Sequence, residues 1–384
     1  MKGMQTRLVH GGDPNPRIGG AVVPPIFQSA TFEQKEGNDY HDGEYIRLSN
    51  TPGHVSLHEK LALVCGTESA LVASSGMAAI TSTLLALLSE GDGLLAENRL
   101  YGGTESFVSG DLQRWGVQVH RFDGTDPQSF QDPPPGTKVL YCEAISNPLC
   151  RIPDFQRLTD WAKSHGIVTV IDSTFATPVL FRPVEHGFDL EVHSATKGLN
   201  GHGDIAAGLV AGSHEMVEKV RRCLNLLGGH LDAHACFLLY RGLRTLGLRV
   251  DRQCQNADGL ARFLSDHPRV KQVNHPTLED HPDFQKCQKY MGGRGGGVLS
   301  FEIDGSVEQA QQICVSTKLM ANAPSLGGVE TLITRPASSS HAGVDREVRI
   351  AQGVTDELIR VACGVEDLED LIEDLDVVLG GQLA

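Results

Sequence analysis

The chain carries nine cysteines yet has no pair at C-x-x-C spacing. Scattered singly, they exclude a disulfide scaffold or a zinc cluster, both of which need closer spacing, and read as buried, reduced thiols. Positive charge is also scarce: 33 Lys and Arg face 48 Asp and Glu, for a net charge of -15. A nucleic-acid phosphate backbone must be met by a basic face, so that balance excludes a nucleic-acid binder. No block of like charges suggests a charged tail. No apolar run approaches a membrane span either; "LEVHS" and "IVTVID" are strand-sized. The start, "MKGMQTRLVHGGDPNPRIGG", lacks the apolar core of a signal peptide, so a cytoplasmic protein with no membrane partner is expected. Two nucleotide motifs are missing as well. No G-x-G-x-x-G fingerprint follows a strand, which disfavours a nicotinamide-dependent dehydrogenase, and no G-K-[ST] completes a Walker loop.

What is present is ordinary globular material, 40% hydrophobic and 21% charged over 384 residues, enough for a large core and two domains. Residues 1–50 are rich in Gly and Pro and read as an extended arm. "HVSLHEKLALVCG" has helical spacing and ends at Gly66, a plausible C-cap. Beyond it, "ALVAS", "GLLAE", "VQVHRF", "KVLYCEA", "IVTVID" and "LEVHS" read as strands alternating with helices such as "DFQRLTDWAKSHG". That alternation predicts an α/β fold with a mostly parallel sheet covered on both faces. After about residue 215 the pattern turns helical, with one long run from Ala233 to about Leu264. Strands at "GGVLSFEI", "KLMANA" and "LIRVACG" follow, and then the acidic helix "DLEDLIEDLDVVL". A large domain over 51–240 and a smaller α+β domain over 241–384 are expected.

In such sheets ligands bind at the carboxyl ends of the strands, so the residues there carry the chemistry. "SSGMAA" offers small side chains and then free N–H groups at a helix start, a way to hold a phosphate without a cation. "VTVIDSTF" puts Asp172 where a buried strand ends, and "LEVHSATKGLNGHGD" delivers Ser194, Thr196 and Lys197 into a glycine-punctuated turn. A phosphate cup, a buried carboxylate and a lone lysine suit pyridoxal phosphate (PLP), which needs an amine for attachment, an acidic partner for its ring nitrogen and a cradle for its phosphate. Lys197 is then the amine, Asp172 the partner, and Ser75, Gly76, Met77, Ser194 and Thr196 the cup. Tyr101, just beyond "LLAE", supplies an aromatic for the ring face.

These motifs resemble the Cys/Met-metabolism family of PLP-dependent enzymes almost end to end. The likeness runs from "GAVVPPIFQSATF" and "YIRLSNTP" through "SSGMAAI", "LYGGT", "EAISNP", "IDSTFATP" and "HSATKGLNGHGD" to "SLGGVETL" and "LIRVACGVEDLEDL". The resemblance implies the fold type I, PLP-dependent transferase-like architecture and a carbon–sulfur lyase acting on an amino acid. Among its activities it implies γ-elimination on cystathionine or a related γ-substituted amino acid first, with β-lyase and γ-synthase chemistry as alternatives. It implies a homo-oligomer, usually a tetramer, whose N-terminal arm contacts a neighbouring subunit so that Tyr45 and Arg47 reach that subunit's phosphate. It places Thr174 beside the cofactor with Asp172, Glu143 near it, Asn147 at both cofactor and substrate, and Ser325 and Arg360 at the substrate. An arginine fork at 360 suits the substrate carboxylate. Lys197 and Tyr101 are the implied catalytic residues.

Four positions depart from the family pattern. Gly198 stands where an aromatic is common and is expected to open space beside the cofactor. Ser173, Gly103 and Pro324 replace an Asn, a Cys found in methionine γ-lyases, and a Glu. His193, His202 and Asp204 are better explained by turn structure around the lysine than as metal ligands, and no metal is expected. "GGRGGG" at 292–297 precedes a strand, so it reads as the entry to "VLSFEI" and not as a phosphate loop. His341 lies where the family has a histidine near the substrate mouth, with a structural role equally open. A non-catalytic PLP-binding protein would be signalled by loss of the lysine, aspartate or arginine, and all three are present.

Overall fold

The computed structural model describes residues 1–34 and 43–380. Seven strands form the first sheet: β1 (Ser69–Ala73), β2 (Gly93–Glu97), β3 (Gln118–Phe122), β4 (Thr137–Glu143), β5 (Val168–Asp172), β6 (Leu190–Ser194) and β7 (Gly208–Gly212). They lie in the order β1-β7-β6-β5-β4-β2-β3. β7 runs antiparallel to both its neighbours, while β6, β5, β4, β2 and β3 pair in parallel.

Successive side chains of a strand face opposite sides, and the two cores follow that alternation. Val139, Tyr141 and Val170 enter one core with Ile80 and Leu84 of helix Gly76–Leu87 and Val217 and Leu224 of helix His214–Leu227. Leu140, Cys142 and Ile171 enter the other, with Leu57 and Leu61 of helix Pro52–Cys65 and Phe155 and Leu158 of helix Phe155–Ser164. Both faces are therefore covered, which is why these strands are continuous apolar runs. Gly66 ends its helix with φ 79°, the left-handed cap its sequence position predicts.

The second sheet comprises β8 (Val270–Asn274), β9 (Val298–Ile303), β10 (Ala321–Asn322), β11 (Leu332–Thr334) and β12 (Leu358–Ala362), ordered β10-β11-β12-β9-β8. All pairs but β10/β11 are antiparallel. Phe301, Ile333, Ile359 and Val361 pack on one face against helices Leu246–Asp266, Val307–Ser316 and Leu368–Leu379. Thr334 and Arg360 are cross-strand partners, two positions that share the opposite face. The last helix is acidic outside, but Leu371, Leu375 and Leu379 bury its inner stripe.

Several expectations need adjusting. Residues 1–50 are not wholly extended: helix Met4–His10 buries Leu8, and the buried Lys60 Nζ donates to the Leu8 carbonyl at 2.9 Å. Residues 35–42 of that arm lie outside the described residues. The single helix expected from Ala233 to about Leu264 is two, Ala233–Leu243 and Leu246–Asp266. "KLMANA" yields only the two-residue β10, because the Asp374 carboxylate takes the N–H groups of Lys318, Leu319 and Met320 at 2.7, 3.0 and 3.1 Å. Strands β7, β8 and β11 are additional to those expected. The two sheets are separated by residues 213–269, within which the division expected near 240 falls.

Candidate active site

A cavity of 720 Å³ opens where β4, β5 and β6 end and reaches the Arg360 face of the second sheet. Lys197 enters it from the turn after β6. Here Lys197 N–H donates to Ser194 O at 3.1 Å and Gly201 N–H to Lys197 O at 2.8 Å. The turn needs φ +77° at Gly201, and a Cβ there would lie 1.7 Å from Arg249 Nη1. Arg249 fills that space: its guanidinium donates to the carbonyls of Gly198 (2.7 Å), Leu199 (3.3 Å) and Gly242 (2.7 Å). The break between the two helices at 244–245 brings this buried arginine back over the lysine loop. Lys197 Nζ donates to Ser325 Oγ at 2.7 Å. Burial, then the positive charge of Arg360, hold its amine at about 8 rather than the usual 10.5.

Thr174 ties the ends of β5 and β6 together. Its N–H donates to Asp172 Oδ1 at 2.9 Å, its hydroxyl donates to the same oxygen, and it accepts from Ser194 N–H at 2.8 Å. The Asp172 carboxylate lines the cavity, and burial raises its pKa. Glu143 sits in register beside it on β4 and accepts from Tyr101 N–H at 2.5 Å. Burial, then the neighbouring Asp172, push the Glu143 carboxyl well above the usual range. This bond anchors the backbone from which the Tyr101 ring, 43% exposed, projects into the cavity. A Cβ at Gly103 would lie 2.6 Å from that ring and 3.1 Å from Met77 Sδ, so the glycine lets the ring settle here.

Ser75, Gly76 and Met77 line the floor together with Ser194 and Thr196. Ser75 caps the helix by accepting from Ala78 N–H at 3.0 Å. The N–H groups of Gly76 and Met77 stand in the first turn, where no intrahelical acceptor exists. Arg360 is buried on the other wall, donating from Nη1 to Asn147 Oδ1 at 3.1 Å and from Nη2 to Ser325 O at 2.8 Å. Among the described residues its Nε has no partner. Burial lowers its pKa to about 10.

Thirteen of the fifteen expected site residues, Glu143 included, thus line one cavity, and Tyr45 and Arg47 do not. Arg47 Nη1 donates to Asn225 O at 3.2 Å, beside a separate groove of 960 Å³. Gly198 does not open the cavity as expected: it is outside the lining, and a side chain there would meet Thr177 Cγ2 at 3.1 Å. His341 is buried behind the wall, hydrogen-bonded to Ser340 Oγ at 2.9 Å and held neutral, at about 4, by burial. His202 bonds to Asn200 O and Asp204 to Asn200 Nδ2, whereas His193 pairs with Glu191 inside the protein, beside Cys65. All nine cysteines are free thiols. The sequence reading missed Gln311, Asn322, Arg335 and Ser338–Ser340, which also line the cavity. The polar "SSS" run at 338–340 was the one visible signal among them.

Comparison with known proteins agrees with this geometry. Residues 5–380 match the family described as Cys/Met metabolism PLP-dependent enzyme. The chain is 39% identical to the L-methionine gamma-lyase of Pseudomonas putida over 99% of this chain and 98% of that one. It is also 39% identical to the cystathionine beta-lyase of Bacillus subtilis, over 98% and 96%. The crystal structure of cystathionine gamma synthase from Xanthomonas oryzae pv. oryzae, in complex with aminoacrylate and cysteine, superposes with a TM-score of 0.95 at 34% identity, over 99% and 98%. The fold is that of the fold type I enzymes, the cofactor is pyridoxal phosphate, and the chain belongs to the Cys/Met-metabolism family of PLP-dependent enzymes.

Proposed function

We propose that the protein is a carbon–sulfur lyase that performs γ-elimination on cystathionine or a related γ-substituted amino acid. The observation that carries this reading is the convergence of Lys197 and Arg360 on Ser325 inside one cavity. The residues present fit the cofactor. Lys197 is the amine that would hold it, Asp172 would pair with its ring nitrogen, and Tyr101 would supply an aromatic for its ring. The first-turn N–H groups of Gly76 and Met77, with Ser75, Ser194 and Thr196, would hold its phosphate, and Asn147 would also contribute, while Thr174 fixes Asp172. When bound, pyridoxal phosphate withdraws electrons from the substrate's α-carbon.

Arg360 clamps the substrate carboxylate with its planar fork, assisted by Asn147 and Ser325. That clamp sets the α-carbon against Lys197 Nζ. An amine held at about 8 is a competent base near neutrality, so Lys197 removes the α-proton and then moves a proton at the β-carbon as the γ-substituent leaves. β-Elimination and γ-replacement use the same residues and are the second reading, favoured by the equal 39% identity to a β-lyase.

Tyr45 and Arg47 lie outside the chain's own cavity, which supports a site completed by a partner subunit, in a dimer that pairs into a tetramer through the arm over 1–50. Singly placed free thiols support a cytoplasmic setting, and no described helix is long and apolar enough to cross a membrane. The test is Lys197→Ala in the purified protein. Turnover should fall by about 10²–10⁴-fold, the usual worth of a positioned base, with melting temperature and far-UV spectrum retained. Turnover near wild type would overturn the assignment.

A further inference from the structure

The charges lining the cavity are unevenly placed. Its carboxylates, Glu143 and Asp172, both sit at the ends of β4 and β5, where the cofactor belongs. Its cations are Lys197, Arg360 and a third, Arg335, for which the reaction described above has no use. Thr334 is the cross-strand partner of Arg360, so Arg335 starts one residue beyond the substrate clamp. Its guanidinium bonds to groups other than those the clamp uses. Nε and Nη2 donate to the Asp356 carbonyl at 3.0 and 2.8 Å, and Nη1 donates to Gln311 Oε1 at 3.1 Å.

These partners are all uncharged oxygens. The Asp356 carboxylate is taken by Arg346 and Arg349. Glu308, on the same helix as Gln311, accepts from Ser306 and feels the Arg335 charge, but among the described residues Arg335 forms no ion pair within 4.0 Å. A guanidinium has five N–H groups, so about two remain after these three bonds. The cavity thus presents a cation with spare donors and no carboxylate in ion-pair contact, in a lining that includes Ser338 and Ser339. Pro324, on the same wall, offers no counter-charge to a distal ammonium.

We infer that Arg335 is a specificity-determining residue that selects amino acids whose γ-substituent ends in an anion, a carboxylate or a phosphate, over those ending in a neutral group. This rests on the γ-elimination reading. Arg360 takes the α-carboxylate at one end, and Arg335 takes the second anion at the other. The chemistry is unchanged: the Cγ–leaving-group bond breaks with its electron pair, the α- and one β-proton are moved by Lys197, and water releases ammonia and 2-oxobutyrate.

The test compares three esters of L-homoserine on the holoenzyme: the acetate, which ends neutral, the hemisuccinate, which ends in a carboxylate, and the phosphate. A charge-assisted hydrogen bond contributes about 1.5–3 kcal/mol, or roughly 10- to 100-fold. Wild type should therefore favour the hemisuccinate over the acetate by at least about tenfold in kcat/KM. Arg335→Gln should cut that ratio by about tenfold or more, and Arg335→Lys should restore part of it. A matching shift in the phosphate-to-acetate ratio assigns the position to any terminal anion, and none assigns it to carboxylates. A ratio within about twofold of wild type in Arg335→Gln, or equal loss on both esters with a lower melting temperature, overturns the inference in favour of a structural role. Absence of 2-oxobutyrate from every ester, with the cofactor band intact, sinks the γ-elimination reading instead. Absorbance titration with the same esters then still gives the ratio of dissociation constants, on which the same two criteria decide.

Discussion

Lys197 and Arg360 meet on one residue: Ser325 accepts from Lys197 Nζ through its hydroxyl and from Arg360 Nη2 through its carbonyl. The proposed base comes from the turn after β6 in the first sheet and the proposed clamp from β12 in the second. Their separation is therefore set by how the two sheets pack, and Ser325, at φ +110°, is the joint. Ser325→Ala keeps the carbonyl and removes only the acceptor for the amine. The expected result is a fall in kcat of about ten- to a hundredfold, with KM changed by less than about threefold, because orientation of the base is lost and the clamp is not. Steady-state kinetics decides; a raised KM at unchanged kcat would place Ser325 in substrate binding alone.

The Lys197 amine, held at about 8 by burial and by Arg360, sets a pH window. Between that value and the ordinary 10.5 the unfolded chain binds the proton and the folded chain does not. Stability from this group therefore increases as pH rises through the window, and the neutral amine is already dominant just above its lower edge. Attachment of the cofactor needs the neutral amine. The rate of pyridoxal phosphate uptake by the apoprotein should rise by about tenfold per pH unit below about pH 8 and level off above it. Stopped-flow absorbance reads this directly, and a rate still climbing at the same slope near about pH 10 would show an unperturbed lysine.

Tyr45 and Arg47 stand apart from the cavity of their own chain, which makes the shared site testable by mixing. Arg47→Ala and Lys197→Ala should each be severely impaired when expressed alone. Co-expressed, a dimer with one subunit of each kind regains one complete site of two. With half of the dimers mixed, activity should return to about a quarter of wild type. Recovery no greater than the sum of the separate variants would mean that each chain builds its site unaided.

The strands around the cofactor site were legible because they are buried on both faces. "KVLYCEA" and "IVTVID" carry continuous apolar stretches and "LEVHS" alternates Leu190 and Val192 with polar residues, so their ends, and hence Asp172 and Lys197, could be located from composition and pattern. β7 escaped because "GLVAG" is flanked by glycines, and β8 because Lys271 and Gln272 are exposed on a sheet edge. The break at 244–245 was invisible because its reason is distant: Arg249 turns back to the carbonyls of the lysine loop. Ser325 and Arg360 could be assigned from the family motif, but their convergence on Lys197 depends on the second sheet folding against the first. Arg335 gave no signal, because a surface-like arginine after a strand acquires meaning only when the cavity beside it is seen.

The most direct measurement is the identity of the keto acid released when the purified yellow protein is incubated with cystathionine, read by mass spectrometry. γ-Elimination by Lys197 requires 2-oxobutyrate. Pyruvate would contradict it and move the protein to the β-lyases. Neither product, with the cofactor spectrum intact, would remove cystathionine as the substrate.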